Sequence, residues 1–168
     1  MDNLWGILDE QMVFKSPKMI LNEQIAYLNR MTDGIVEGEL IQYKIREVVD
    51  KTTGDECGFS FSYAFNLKSK FLKGFKYRIL SMGYDVMMYP LYIRVNMDFA
   101  LALKEDIMKG LSDSEEFDEL DYDRQGEIFL ANETEYIKLL SIILGSKEVL
   151  QIISNIKAFA DEQIQSLL

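Results

Sequence analysis

The sequence contains no histidine, one cysteine and two prolines in 168 residues. Without histidine, the chain lacks the commonest general base, the usual partner of serine and cysteine nucleophiles, and the commonest zinc ligand. Cys57 has no second cysteine for a disulfide or redox pair, which is typical of a reducing compartment. Glycine-rich phosphate loops and the G-x-S-x-G element are also missing. These absences favour a non-catalytic protein without a cofactor.

Long apolar runs are absent as well. No stretch approaches the roughly 18–20 apolar residues that a membrane span needs. The first residues, MDNLWGILDEQ, carry acids where a secretory signal carries Lys or Arg. We therefore expect a cytoplasmic protein that does not contact membranes. A chain of 168 residues fits one domain, and we expect that domain to span residues 1–168.

Charge is distributed unevenly along the chain, whose formal net charge is −10. Residues 113–127 hold eight acids against one base, Arg124. The acids are Asp113, Glu115, Glu116, Asp118, Glu119, Asp121, Asp123 and Glu127. A second segment, 68–78, has no acid and contains Lys68, Lys70, Lys73, Lys76 and Arg78. The chain therefore has one acidic and one basic segment, and a nucleic-acid mimic is disfavoured because its carboxylates would be spread over a whole face.

Hydrophobic periodicity predicts the fold class. Ser16-Pro17 begins a segment with apolar residues at three- and four-residue steps, which predicts a helix over 17–32. The period then changes to two, and Cys57–Leu67 alternates most strictly, which is typical of a half-buried antiparallel strand. Together the alternating runs predict a four-stranded antiparallel meander within 35–96.

Helical periodicity returns after the meander. It predicts a helix ending near Lys109, an acidic loop over 112–127, and two further helices at 136–144 and 147–167. Asn132 to Glu135 resembles a capping box before the first of these two. The predicted fold is α+β: one or two helices, then the meander, then about three helices that pack on one face of the sheet.

The acidic segment partly resembles an EF-hand calcium loop. Asp121, Asp123, Gln125 and Asn132 fall at loop positions 1, 3, 5 and 12, with Gly126 at position 6. Position 5 is longer than the usual Asp or Asn, and position 12 lacks the bidentate Glu. The resemblance implies at most a weak calcium site, and a solvated acidic loop is the competing interpretation.

The basic segment also has two interpretations. Lysines interleaved with aromatic residues can follow a phosphate backbone while the rings stack on bases. However, Lys68 to Arg78 spans the connection between two predicted strands, where solvated lysines are ordinary. The overall negative charge opposes encounter with nucleic acid, so a surface loop or a docking patch for an acidic protein is preferred.

Methionine and tyrosine are concentrated in residues 81–97. Both residue types suit contact surfaces, because Met adapts its shape and Tyr is amphipathic. A core strand with Met as filler is the simpler alternative. Side chains alternate along a strand, so Met87, Met88 and Tyr89 cannot all face the core.

The sequence thus predicts a small acidic protein-binding module, such as an inhibitor, immunity or regulatory protein that neutralises a basic partner. Its predicted contact residues are Asp113, Glu115, Glu116, Asp118, Glu119, Asp121, Met87, Met88 and Tyr89. Two alternatives stay open: a ligand-binding or sensing domain with a pocket between sheet and helices, and a weak calcium-binding protein or carboxylate-only hydrolase. The sequence leaves homo-oligomerisation open too.

Overall fold

The protein has an α+β fold, as the sequence predicts. The computed structural model describes residues 4–6, 14–45, 48–49, 56–112 and 118–168. In chain order the elements of these residues are α1 (Pro17–Met31), β1 (Glu37–Gln42), β2 (Val48–Val49), β3 (Glu56–Cys57), β4 (Phe61–Lys68), β5 (Lys76–Tyr84), β6 (Leu91–Val95), α2 (Met97–Ala100), α3 (Lys104–Gly110), α4 (Glu119–Gln125), β7 (Glu127–Leu130), α5 (Glu133–Leu144) and α6 (Lys147–Ser166).

The main sheet has five antiparallel strands in the order β1-β4-β5-β6-β7. Its first four strands are the predicted meander, which is confirmed in outline. The fifth, β7, comes from the end of the predicted acidic loop and pairs with β6. The predicted long strand from Cys57 is interrupted, because β4 begins only at Phe61, while β2 and β3 form a separate two-stranded ladder.

One face of the sheet, here called the inner face, is covered by helices, as predicted. Its side chains include Phe65, Leu80, Met82, Ile93 and Ile128. These belong to one buried cluster that contains residues of all the helices α1 to α6. Burial of this apolar surface is the main contribution to folding stability. The core therefore lies between the inner face and the helices.

Two polar contacts fix α1 and α5 over the inner face. The hydroxyl of Tyr136 in α5 donates to the carbonyl of Pro17 at 3.1 Å and lies 3.8 Å from the sulfur of Met82. Each helix begins at a capped residue: Ser16 accepts from Met19 N–H, and Asn132 accepts from Glu135 N–H. Such caps satisfy backbone donors that a helix leaves unpaired.

The opposite, outer face is more buried than the sequence predicts. Strict alternation places Ala64 and Asn66 toward solvent, yet these side chains are 0% and 4% exposed. Part of this face is covered by the connection between β1 and β4. Its two ends, Ile45 and Phe59, pack across the outer face at Gly83, where an added Cβ would lie 2.5 Å from the Phe59 ring. A pattern of alternation cannot reveal this return of the chain.

The outer face yields a stability prediction. Gly83→Ala should lower the free energy of unfolding by about 1–3 kcal/mol, because the new methyl group overlaps the Phe59 ring. The matched control is Gly58→Ala, where nothing lies within 4 Å of the added Cβ. Both variants lose a glycine, so the change in unfolded-chain entropy is similar. Urea titration measures both, and equal stabilities would contradict the packing described here.

Candidate protein-binding surface

The sequence predicts an acidic loop over 112–127. This prediction is wrong for the second half of that range, which contains the helix α4. Asp118 begins this helix, and its carboxylate accepts from the N–H groups of Leu120 and Asp121 at 3.0 and 3.2 Å. Gly126 ends it with a φ of +69°, and a side chain there would meet the carbonyl of Val95. The predicted contact residues Asp113, Glu115 and Glu116 lie outside the described residues.

Lys104 joins α3 to α4. Its ammonium group lies 2.8 Å from Glu119 and 2.7 Å from Asp123, two carboxylates one turn apart on α4. Hydrogen bonds to Asp123 and then Glu119 raise the pKa of Lys104 above its usual value. One cation is thus shared by two acids, so this part of the surface keeps an excess of negative charge.

Tyr122 holds α4 against α2. Its side chain is fully buried, and its hydroxyl donates to the carbonyl of Ala100 in α2. Burial raises the pKa of Tyr122 above its usual value. The cap at Asp118, the ion pairs of Lys104 and the buried ring of Tyr122 together hold α4 in one position against α2 and α3.

Apolar side chains are exposed among these acids. Leu101, between α2 and α3, and Leu120, on α4, are each 56% exposed. Glu105 and Asp106 on α3 are exposed beside Lys104. We call this region the acidic surface; its residues are Leu101, Lys104, Glu105, Asp106, Asp118, Glu119, Leu120, Asp121 and Asp123.

The predicted Met/Tyr contact residues lie in the turn between β5 and β6. Met87 is 82% exposed, whereas Met88 and Tyr89 are half-buried. Asp85 fixes this turn, since its carboxylate accepts from both the N–H and the hydroxyl of Ser60 at 2.8 and 2.9 Å. Burial raises the pKa of Tyr89 to about 12. Of the three residues, Met87 is the most exposed.

The acidic surface and the Met87 turn are not adjacent. The turn enters β6 at Leu91, while α4 leads into β7 beside Arg94, near the other end of β6. The structure therefore does not bring together in one surface those predicted contact residues that it describes. It divides them between two ends of the sheet.

The basic segment is largely engaged within the molecule. Lys68 and Lys76 lie 3.3 and 2.9 Å from the carboxylate of Glu39, and Lys76 is the main cause of a lowered Glu39 pKa. The guanidinium of Arg78 lies 4.3 Å from the ring centre of Tyr43. In the turn, Lys70 lies over Phe71, and Lys73 is exposed. Of the predicted basic patch, Lys68, Lys76 and Arg78 thus contact side chains of the sheet, whereas Lys70 and Lys73 lie exposed in the turn.

One polar network has no counterpart in the sequence analysis. Arg94 donates to Glu127 at 2.7 Å and to the hydroxyl of Tyr92 at 3.0 Å, and that hydroxyl donates to Glu127 at 2.9 Å. Arg94 and Glu127 are directly opposite in the register of β6 and β7. The network pins β7 to the sheet. The predicted sheet has four strands, so the sequence analysis did not pair β7 with β6 and did not bring these residues together.

The candidate calcium residues are placed differently from those of an EF-hand loop. Asp121, Asp123 and Gln125 lie within α4, and Asn132 caps α5. Asp123 pairs with Lys104, and Gln125 accepts from Arg94. Within the described ranges, no group of three or more His, Cys, Asp or Glu residues is arranged to hold a metal ion.

The alternative of a ligand pocket would be lined by the aromatic residues of 59–65, and these contact other parts of the fold. Phe59 stacks on Tyr92 with ring centres 5.3 Å apart, and Phe61 contacts Tyr84 at 5.5 Å. The ammonium group of Lys18 lies over the Tyr63 ring at 4.6 Å. Among the residues that the structure describes, tyrosines apart, the buried polar or charged side chains are Thr32, Asn66, Ser69, Ser81 and Ser146, with no Asp or Glu.

Comparison with protein-family models, curated protein sequences and solved structures finds no match to this chain. In the part of the chain that the structure describes, no single helix is long and apolar enough to cross a membrane. Only α5 and α6 taken together reach that length and composition, and a 53° bend separates them.

Calcium gives a direct test of the arrangement in α4. We expect calcium to shift the thermal midpoint of unfolding no more than an equal concentration of magnesium, because Asp123 and Gln125 already contact Lys104 and Arg94. Thermal scans with each ion measure this. A calcium-specific rise in the midpoint that disappears in Asp121→Ala would contradict the expectation.

Proposed function

We propose that this protein is a small non-catalytic module of the cytoplasm that binds another protein through the acidic surface. The observation that carries the proposal is the exposure of Leu101 and Leu120 among carboxylates on helices that are held in place. The partner has a basic surface with apolar positions at its centre. Inhibitors, immunity proteins and regulators of basic proteins are functions of this kind.

Charge supports the choice of a basic partner. The two helices α3 and α4, with the cap Asp118, carry six carboxylates against three bases, Lys104, Lys109 and Arg124, so the region has a net negative charge. Carboxylates concentrated on one surface speed the encounter with a basic protein and orient it before contact. This contribution weakens as salt concentration rises, because salt screens charges that are exposed to solvent.

The exposed leucines support a specific complex. Electrostatic attraction governs encounter, whereas buried apolar groups near the centre of an interface contribute most to its lifetime. Burying the exposed part of one leucine contributes about 1 kcal/mol. Leu101 and Leu120 therefore supply apolar contact in a region that is otherwise charged.

The fixed position of α4 supports binding without a large ordering cost. A surface that is already held in its bound shape loses less conformational entropy on association. Asp118, Tyr122 and Lys104 hold α4 by a cap, a buried ring and two ion pairs. The carboxylates of α4 thus have defined positions before a partner arrives.

A double variant that removes two negative charges from α3 tests the proposal. In Glu105→Gln/Asp106→Asn, the association rate with a compact basic probe, cytochrome c, should fall several-fold at low salt, with a weaker salt dependence. The matched control is Asp161→Asn/Glu162→Gln, which makes the same change on α6. Surface plasmon resonance at several salt concentrations measures both. Equal reductions in the two variants would mean that net charge alone drives binding, and would overturn the proposal.

The leucines are tested separately on the natural partner, once native mass spectrometry of the gently purified protein has identified it. Leu120→Ser should raise the dissociation rate and leave the association rate nearly unchanged, because apolar contacts form after encounter. Leu150→Ser is the control, since Leu150 is also exposed but lies on α6. An unchanged dissociation rate in Leu120→Ser would contradict the role assigned to this residue.

A further inference from the structure

The edge strand β1 has backbone groups that no neighbouring strand of the described residues pairs with. β1 pairs with β4 along its whole length, from Glu37 opposite Lys68 to Gln42 opposite Tyr63. Among the described residues, its other side has no strand neighbour in the main sheet. Tyr43 donates to the carbonyl of Ser62, so by alternation the N–H and C=O groups of Gly38, Leu40 and Gln42 point away from the sheet.

The sequence of β1 protects this edge only weakly. Natural proteins blunt exposed edges with proline, charged side chains (above all lysine), a bulge or a very short strand. The charged residues of β1 are Glu37 and Glu39, and the Glu39 carboxylate is paired with Lys68 and Lys76. β1, EGELIQ, has six residues, no proline and no lysine, and its register with β4 is regular. The opposite edge strand, β7, has only four residues and lies directly between α4 and α5 in the chain.

The helix beside β1 leaves the edge accessible. An added Cβ at Gly38 would lie 2.7 Å from the side chain of Ile25 in α1. The Cβ direction is perpendicular to the sheet, so α1 lies above the inner face and not against the edge. On the outer face, Lys68 and Lys76 draw the Glu39 carboxylate toward β4 and β5.

We propose that β1 pairs with β1 of a second copy of this chain, in antiparallel orientation about a twofold axis at Leu40. This register joins all outward-pointing backbone groups of both strands: Leu40 with Leu40, and Gly38 with Gln42, in about six hydrogen bonds. The two five-stranded sheets become one continuous sheet. An interface with the same patch on both subunits closes as a dimer.

The charges of the strand are compatible with this register and with a second copy as the occupant. About Leu40, Glu39 lies opposite Ile41 of the second copy, and Glu37 lies opposite its Tyr43, so no two carboxylates are cross-strand neighbours. A register centred one residue earlier would place Glu39 opposite Glu39, and like charges directly opposite destabilise a sheet. The carboxylate of Glu39 is in addition neutralised by Lys68 and Lys76.

The dimer is weak and strengthens with salt. Edge pairing of two short strands buries less area than the roughly 1,200–2,000 Å² of a stable interface. Each copy carries a formal net charge of −10, so the two copies repel one another at low ionic strength. This salt dependence is opposite to that expected for binding of a basic partner through the acidic surface, which makes the two proposals independent.

Sedimentation velocity of the whole chain tests the dimer from about 10 µM to about 1 mM protein, at about 50 and 500 mM salt. We expect concentration-dependent dimers that increase at high salt. Gln42→Pro should raise the dissociation constant about tenfold or more, because it removes two of the intermolecular N–H donors. The position tolerates proline: its N–H faces solvent in the monomer, and Ile41 is already extended.

The matched control, Gln42→Ala, keeps the N–H and should dimerise like the wild type. Hydrogen exchange of the unmodified protein provides a test that needs no variant: the amides of Gly38, Leu40 and Gln42 should gain protection as concentration rises. A monomer at every concentration and salt would overturn the proposal. A dimer that Gln42→Pro leaves unchanged, or one without protection at these three amides, would also overturn it.

Discussion

The structure depends on the cover that α1 and α5 provide for the inner face of the sheet. This face presents Phe65, Met82 and Ile93, each nearly or fully buried, and exposing them to water would remove the main driving force for folding. The two helices meet at Tyr136, whose hydroxyl reaches the carbonyl of Pro17 across 119 positions of sequence. The start of α1 and the start of α5 are thereby fixed over the same strand, β5.

The position of the acidic surface follows from that cover. Once α1 and α5 occupy the inner face, α2, α3 and α4 lie around the end of the sheet where β6 finishes and β7 begins. Tyr122 and Ile107 are the buried residues of α4 and α3, so the remaining sides of these short helices face solvent. Their carboxylates and two leucines are exposed because only one side of each helix is needed for the core.

Charge is handled differently on the sheet itself. Lys68 and Lys76 converge on Glu39, and Arg94 on Glu127, so each carboxylate on the outer face lies beside a cation of a neighbouring strand. Cross-strand pairs of this kind stabilise a sheet locally. On α4 a negative excess remains, since Glu119, Asp121, Asp123 and the cap Asp118 stand against one base, Arg124, whereas the two acids of α3 are balanced by Lys104 and Lys109.

Local patterns predicted the meander and the capped helices, because alternation and capping residues act over a few neighbouring positions. The helix α4 was missed since it has seven residues, mostly charged, and buries only Tyr122, which gives no hydrophobic period. The likeness to a calcium loop has a simple origin: Gly126 adopts a positive φ to end α4, and a calcium loop also needs glycine at its turn.

Local sequence patterns could not predict contacts between residues that lie far apart in the chain. Packing on the outer face at Gly83 requires Ile45 and Phe59 to return across that face. The pairing of Arg94 with Glu127 requires β7 to join β6 in one particular register. Likewise, the pairing of Lys104 with α4 depends on the packing of Tyr122 against α2.

Hydrogen exchange of the protein, free and in the complex isolated from its own cells, is the measurement that bears most directly on function. If the acidic surface binds the partner, the amides of α3 and α4 gain protection in the complex, while those of α6 exchange as in the free protein. Protection confined to other elements, with α3 and α4 unchanged, would contradict binding through the acidic surface.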